Sequence, residues 1–215
     1  MDGLVDWFCG RLLFWIPFVL SLSVHEYAHA LAASWLGDTT AETQGRLTLD
    51  PAAHADPVGT VLLPLVGVPF GWAKPVPVNP ANFRGAGDGR LGMLLTAAAG
   101  PASNGLIAVA CALGLGVEHL ASPEAALGPS GKVLASTVLM NVTLAMFNLL
   151  PVPPLDGSRV VDFLCPDALR PAWSWIYARG GLGIAILLGG SVLLGVDLVS
   201  WSRALGQWLV NQALT

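Results

Sequence analysis

Residues 12–36 read LLFWIPFVLSLSVHEYAHALAASWL. At about 25 residues this stretch is long enough to cross the hydrocarbon core of a bilayer with some tilt. Pro17 predicts a kink in it. Its second half nevertheless holds His25, Glu26 and His29. Ionisable groups at that depth are costly and mark function by default. On a helix, positions i and i+4 share a face, so His25 and His29 can both reach one metal ion. Glu26, beside the first imidazole, is then placed to take a proton from an attacking water.

The composition agrees with a membrane setting. The chain has 215 residues, 54% hydrophobic and only 11% charged, against roughly 25% charged in soluble domains. Mean hydropathy is +0.65. A soluble enzyme of this length needs a charged coat that these residues cannot supply. A net charge of −4 and a pI near 5.4 leave no basic footprint, so no nucleic-acid partner is expected. Cys9, Cys111 and Cys165 form neither a disulfide framework nor a CxxC pair and read as core fillers. The N-terminus resembles a signal peptide in hydropathy alone, since Asp2 and Asp6 stand where positive charge belongs.

Four further apolar stretches follow, at 58–72, 91–117, 133–155 and 181–199. The first of these is short and holds Gly59, Pro64, Gly67, Pro69 and Gly71. It reads as a re-entrant or broken piece sheltered by protein. Residues 201–214 place Trp201, Leu205, Trp208 and Leu209 at helical spacing, the pattern of an interfacial helix. Residues 44–50 and 73–79 alternate polar and apolar side chains, a strand signal, with Pro75 and Pro77 confining the second to a sheet edge. The expected fold is therefore an all-α polytopic membrane protein. It would be a bundle of about four to six transmembrane helices with a small membrane-associated β-structure.

Charge sets the expected orientation. With the N-terminus outside, Arg46, Lys74, Arg84, Arg90, Arg159, Arg170 and Arg179 fall on one side and Arg11, Lys132 and Arg203 on the other. The richer side is cytoplasmic by the positive-inside rule.

A catalytic zinc takes three protein ligands and keeps one position open. The candidates for the third are His54, His119 and Asp156. In this topology the first and fourth spans both run toward the cytoplasm. Pro151, Pro153 and Pro154 interrupt the fourth before Asp156, which lets Asp156 approach the depth of the histidines. His119 lies in the opposite loop. His54 is on the correct side, within a proline-flanked loop, and stays as an alternative. Asn104 follows a run of small residues and reads as an interhelical hydrogen-bonding group or a site residue. Asn141 reads as interhelical glue.

Two motifs together resemble the site-2 protease family of intramembrane zinc metalloproteases. HEYAH at 25–29 fits that family's HExxH, and NLLPVPPLDG at 148–157 fits its NxxPxPxLDG. The segments GPASN at 100–104 and FGWAKPVPVN at 70–79 resemble short bacterial members that carry no PDZ or CBS module. The resemblance covers roughly residues 10–160. It implies one zinc per chain on His25, His29 and Asp156, a site of net charge +1. It also implies Glu26 as the base and Asn148 as a group holding substrate or the oxyanion. It implies a single integral-membrane peptidase domain over 1–215, with its catalytic core at about 10–160 and C-terminal helices at about 170–215. The implied setting is multi-pass in a bacterial inner membrane, with the site open to the cytoplasm. The implied partners are the lipid bilayer and a single-span membrane protein, cut within its transmembrane segment. A non-catalytic membrane metal-binding or scaffold protein is the alternative, but it has no use for Glu26 beside the first histidine. A metal transporter would need more acidic groups than the spans contain.

Overall fold

The computed structural model describes residues 2–66, 71–85, 89–126, 128–197 and 199–215. Among them the longer helices are α1 (Asp2–Trp35), α2 (Arg90–Ala121), α3 (Pro129–Asn148), α4 (Ser158–Leu164), α5 (Arg170–Tyr177), α6 (Gly180–Leu194) and α7 (Ser200–Ala213). The helical fold class holds, and no strand occurs among the described residues.

Helix α2 is the centre of the packing, touching α1, α3, α4 and α7. One apolar cluster joins Ala108 and Leu115 of α2 to Val138 and Val142 of α3 and Val210 of α7. A second joins Phe18 and Leu22 of α1 to Met140 of α3 and Ala73 of the connecting segment. The outer face of α2 is left bare: Leu106, Leu113, Val117 and Leu120 are 72%, 68%, 68% and 86% exposed. Such a stripe is unusual on a protein surrounded by water and fits a lipid-facing wall.

Among the described residues two helices, α2 and α3, are long and apolar enough to cross a membrane. That is fewer than the four to six expected. Helix α1 is longer, at 34 residues. Helix α6 has 15 residues, about 22 Å of rise against a core of about 30 Å.

The expected β-structure is corrected. Segment 73–79 has no regular structure because its donors are used elsewhere. Pro75 and Pro77 have no N–H. Lys74 N–H donates to His54 O and Asn79 N–H to the Asp38 carboxylate. In segment 44–50, Arg46 N–H closes a turn onto Ala41 O and Asp50 N–H meets Thr48 Oγ1. With those groups committed, neither segment is paired as a strand.

The described part of the stretch at 58–72 is broken, but Val58, Leu62 and Val66 are exposed rather than sheltered by protein. A π-helical turn, Pro57–Leu62, runs into a short turn at Leu63–Leu65. Gly67, Pro69 and Phe70 lie outside the described residues. The two arms close tightly: a Cβ on Gly71 would stand 2.0 Å from Gly59 O, and one on Gly59 2.5 Å from the Trp72 ring. Thr60 Oγ1 donates to Trp72 O, and Trp15 Nε1 of α1 donates to Thr60 O.

Asp38, just past α1, is fully buried and clasps two loops. It accepts from Thr40 N and Oγ1, from Asn79 N and from Asn82 Nδ2. Burial alone would raise its pKa. The hydrogen bonds from Thr40, Asn82 and Asn79 outweigh it and hold the carboxyl below the ordinary aspartate value.

Helix α7 is more than an interfacial helix. Trp201, Leu205 and Trp208 are exposed as the sequence suggests, but Leu209 packs on the core. The opposite stripe, Ser202, Gly206 and Val210, is buried. A Cβ on Gly206 would lie 2.9 Å from Leu139 Cδ2 of α3.

Candidate metal centre

His25 and His29 lie on one face of α1, both buried. Their Nε2 atoms stand 3.0 Å apart. Asp156 reaches them from the loop after α3, with Oδ2 3.2 Å from His25 Nε2 and Oδ1 3.4 Å from His29 Nε2. The three ligand atoms lie within 4.8 Å of one another. Of the three candidates for the third ligand, Asp156 is the one brought to the histidine pair.

The loop that delivers Asp156 is closed at its neck. Gly157 N–H donates to Asn148 O at 2.7 Å. A Cβ at Gly157 would sit 2.1 Å from Leu149 O, so this closure requires glycine. Ser158 Oγ donates to Leu155 O.

Helix α2 fixes both imidazoles through Nδ1. His29 Nδ1 is 2.7 Å from the carbonyl of Thr96, which can only accept. The proton of His29 is therefore on Nδ1, and Nε2 carries a lone pair. His25 Nδ1 is 2.6 Å from Asn104 Oδ1. Asn104 Nδ2 donates to Asn141 Oδ1 at 2.8 Å, and Asn141 Nδ2 to Ser21 Oγ at 2.8 Å. This chain of amides makes Asn104 Oδ1 the acceptor and puts the His25 proton on Nδ1 as well. All four side chains are buried, and the chain links α1, α2 and α3. Gly100 lets α2 come this close: a Cβ there would stand 2.5 Å from His29 Nε2 and 2.6 Å from His25 Cε1.

The result is two imidazole lone pairs and a carboxylate converging with no proton among them. Asp156 Oδ2 is buried without a hydrogen-bond donor. Lone pairs facing at this range repel one another unless a cation lies between them. Nitrogen and oxygen ligands in this number suit zinc with one position open. His25, His29 and Asp156 therefore fit a zinc ion.

The other sequence candidates fall into place around this set. Glu26 Oε2 accepts the backbone N–H of Val76 at 2.9 Å. Asn148 Nδ2 donates to Leu144 O, one turn back in its own helix. His54 Nε2–H donates to Thr48 O and is a loop tie rather than a ligand. His119 is near the far end of α2, about 22 Å along the helix from Asn104 by rise per residue. Asn104 joins α2 to α3 through Asn141 and touches His25 of α1. The roles of Thr96, Gly100, Ser21 and Val76 were not drawn from the sequence. Of these only Gly100 carries a sequence signal, its four-residue spacing from Asn104 on one face.

The chain is 38% identical over 188 residues to the candidate zinc metalloprotease YwhC of Bacillus subtilis (strain 168), covering 83% of this chain and 82% of that protein. It belongs to peptidase family M50. The profile of that family matches residues 115–188, which include the proline-rich loop and Asp156. A candidate zinc metalloprotease of Mycolicibacterium smegmatis, Rip2, is 33% identical over 174 residues, 79% of this chain and 64% of that protein. The Rip2 of Mycobacterium tuberculosis (strain H37Rv) is 30% identical over 158 residues, 72% of this chain and 59% of that protein. No solved structure matches. The M50 family is the site-2 protease family, so this chain is a zinc metalloprotease of that family.

Proposed function

We propose that this M50 protease is a multi-pass membrane endopeptidase that cuts transmembrane segments of single-span membrane proteins. In this reading His25, His29 and Asp156 hold the zinc, Glu26 is the general base and Asn148 binds substrate or the developing oxyanion. The observation that carries it is the meeting of two Nε2 lone pairs and a carboxylate beside Glu26, on a helix built to sit among apolar groups. The bare apolar face of α2 supports the membrane setting.

Zinc supplies a Lewis acid that polarises the scissile carbonyl and makes water easier to deprotonate. The chain's own residues do the rest. Asn104 and the Thr96 carbonyl keep both imidazoles turned with Nε2 inward. Glu26 accepts the proton of the attacking water and passes it to the leaving amine. Asn148 gives up its bond to Leu144 O and turns its amide to the substrate carbonyl. The chain acts as one integral-membrane domain over 1–215. Residues 37–56 and 158–179 face the cytoplasm and 118–132 the other side, following the Lys and Arg distribution.

The test is purified protein in lipid vesicles, with zinc content and cleavage of a single-span protein measured together. His25→Ala, His29→Ala and Asp156→Ala should each lose most of the metal. Glu26→Gln should keep it and lose nearly all turnover. Full zinc in Asp156→Ala, or normal turnover in Glu26→Gln, would overturn the assignment. Comparing membrane proteomes of cells carrying wild type and Glu26→Gln should show the substrate accumulating.

A further inference from the structure

We propose that the backbone N–H of Val76 is a positioning donor for Glu26, presented by a pinned strip of chain and set apart by the two prolines around it. This rests on the reading of Glu26 as the base.

The contact is short, with Val76 N 2.9 Å from Glu26 Oε2, and Glu26 is 8% exposed. A backbone donor to a buried carboxylate is a charge-assisted bond with defined direction. The strip that carries it is held without help from Glu26. On one side Lys74 N–H donates to His54 O at 2.9 Å and Arg46 Nη2 donates to Lys74 O at 2.5 Å. His54 is itself tied to Thr48 O, and Ala73 is buried in the cluster with Phe18, Leu22 and Met140. On the other side Asn79 N–H donates to Asp38 Oδ2 at 2.7 Å. The donor is thus brought to Glu26 by the fold, and the carboxylate turns to meet it.

The prolines give the strip its selectivity. In the run Lys74-Pro75-Val76-Pro77, only Val76 can donate at the centre, because proline has no N–H. A carboxylate offers about four lone-pair positions. A single fixed donor therefore sets the rotation of the group and leaves acceptor capacity for the water's proton. Without it, Glu26 could swing about its side-chain bonds away from the metal ligands. A misplacement of about 1 Å in a catalytic group costs on the order of 100-fold in rate.

Two readouts on the full-length, zinc-loaded protein in vesicles test this. The first is amide hydrogen exchange of peptides covering 72–79, where Pro75 and Pro77 contribute no signal and Val76 can be resolved. Val76 should be protected in wild type and exchange at least about 10-fold faster in Glu26→Ala, while Lys74 and Asn79 stay protected. The second is kinetics. Val76→Pro removes the donor and Val76→Ala keeps it while shortening the side chain. The proline variant should show kcat at least about 10-fold below the alanine variant, with KM and zinc content alike.

In a Glu26→Gln background, Val76→Pro should cause no further loss of residual rate. Unchanged Val76 exchange in Glu26→Ala would overturn the proposal, as would equal kcat in the two Val76 variants or faster cleavage in Val76→Pro. If Val76→Pro does not fold, the exchange result decides alone. If Val76 exchange responds to Glu26 while wild type cleaves nothing, the contact stands and the protease reading of Glu26 falls.

Discussion

Asn104 Oδ1 lies 2.6 Å from His25 Nδ1, and the same amide gives its nitrogen to Asn141. The bond ties the imidazole of α1 to α2 and α3 in one step and fixes which nitrogen faces inward. Removing such an outer partner costs roughly 10- to 100-fold in metal affinity. Asn104→Ala should therefore weaken zinc binding in chelator competition by about that factor while the helices remain folded. Asn141→Ala, one bond further out, should weaken it less. Equal affinity in wild type and Asn104→Ala would show that His25 needs no such partner.

Gly100→Ala places a methyl group against both imidazoles. Overpacking of this kind costs about 1–3 kcal/mol, and here the strain falls on the ligands themselves. Both the melting temperature and zinc occupancy should drop. Gly105→Ala on the same helix meets nothing within 4 Å and should be neutral or stabilising by about 0.5–1 kcal/mol. A zinc-replete Gly100→Ala with unchanged melting would contradict the close approach of α2 to the site.

Asn148→Ala should keep zinc and slow single-turnover cleavage by about 100-fold, the lower end of what one oxyanion donor is worth. The bond from Asn148 Nδ2 to Leu144 O gives a competing expectation. A residue used only to close its helix would lower the melting temperature and leave the rate per folded molecule intact. Melting, zinc content and rate on one preparation separate the two.

Asp38 supplies a pH dependence of stability. Its carboxyl is held below the ordinary value by donors from Thr40, Asn82 and Asn79 despite its burial. A folded-state pKa below the unfolded one stabilises the fold above the unfolded value, about 3.9, and that contribution is lost as pH falls through the folded value. Asp38→Asn should therefore melt lower than wild type at neutral pH, with the gap closing below about pH 4. A gap that stays constant from pH 7 to pH 3 would mean that the charge of Asp38 plays no part.

Gly206→Val should push α7 away from Leu139 and lower the melting temperature by an amount equivalent to about 1–3 kcal/mol. Zinc affinity should be little changed, since α7 does not touch the ligands. Loss of zinc in this variant would reveal a coupling between α7 and the metal site.

The meeting of His25, His29 and Asp156 was legible because the pattern behind it is periodic. Two histidines at i and i+4 inside an apolar run have few innocent explanations, and the prolines before Asp156 announce a loop. The supporting shell was hidden for a physical reason. The group facing His29 is a backbone carbonyl and the group facing Glu26 is a backbone N–H, and neither carries a residue-specific signal. The alternation at 73–79 was misleading because a strand pattern describes side chains. Whether a ladder forms depends on donors, and those at Lys74, Val76 and Asn79 are used by His54, Glu26 and Asp38. Helix α7 was half legible: its tryptophans stand out, but the small stripe that docks it on α3 resembles ordinary filler.

The place of Val210 in the core has a consequence for biogenesis. Val210 packs with residues of α2 and α3, yet it is made after every proposed metal ligand. At about 5–20 residues per second, a nascent chain carries His25, His29 and Asp156 for several seconds before α7 can cover that core. During that interval the α2–α3 seam is not yet covered by α7. The surface of α3 that Gly206 later occupies stays uncovered on the incomplete chain until then.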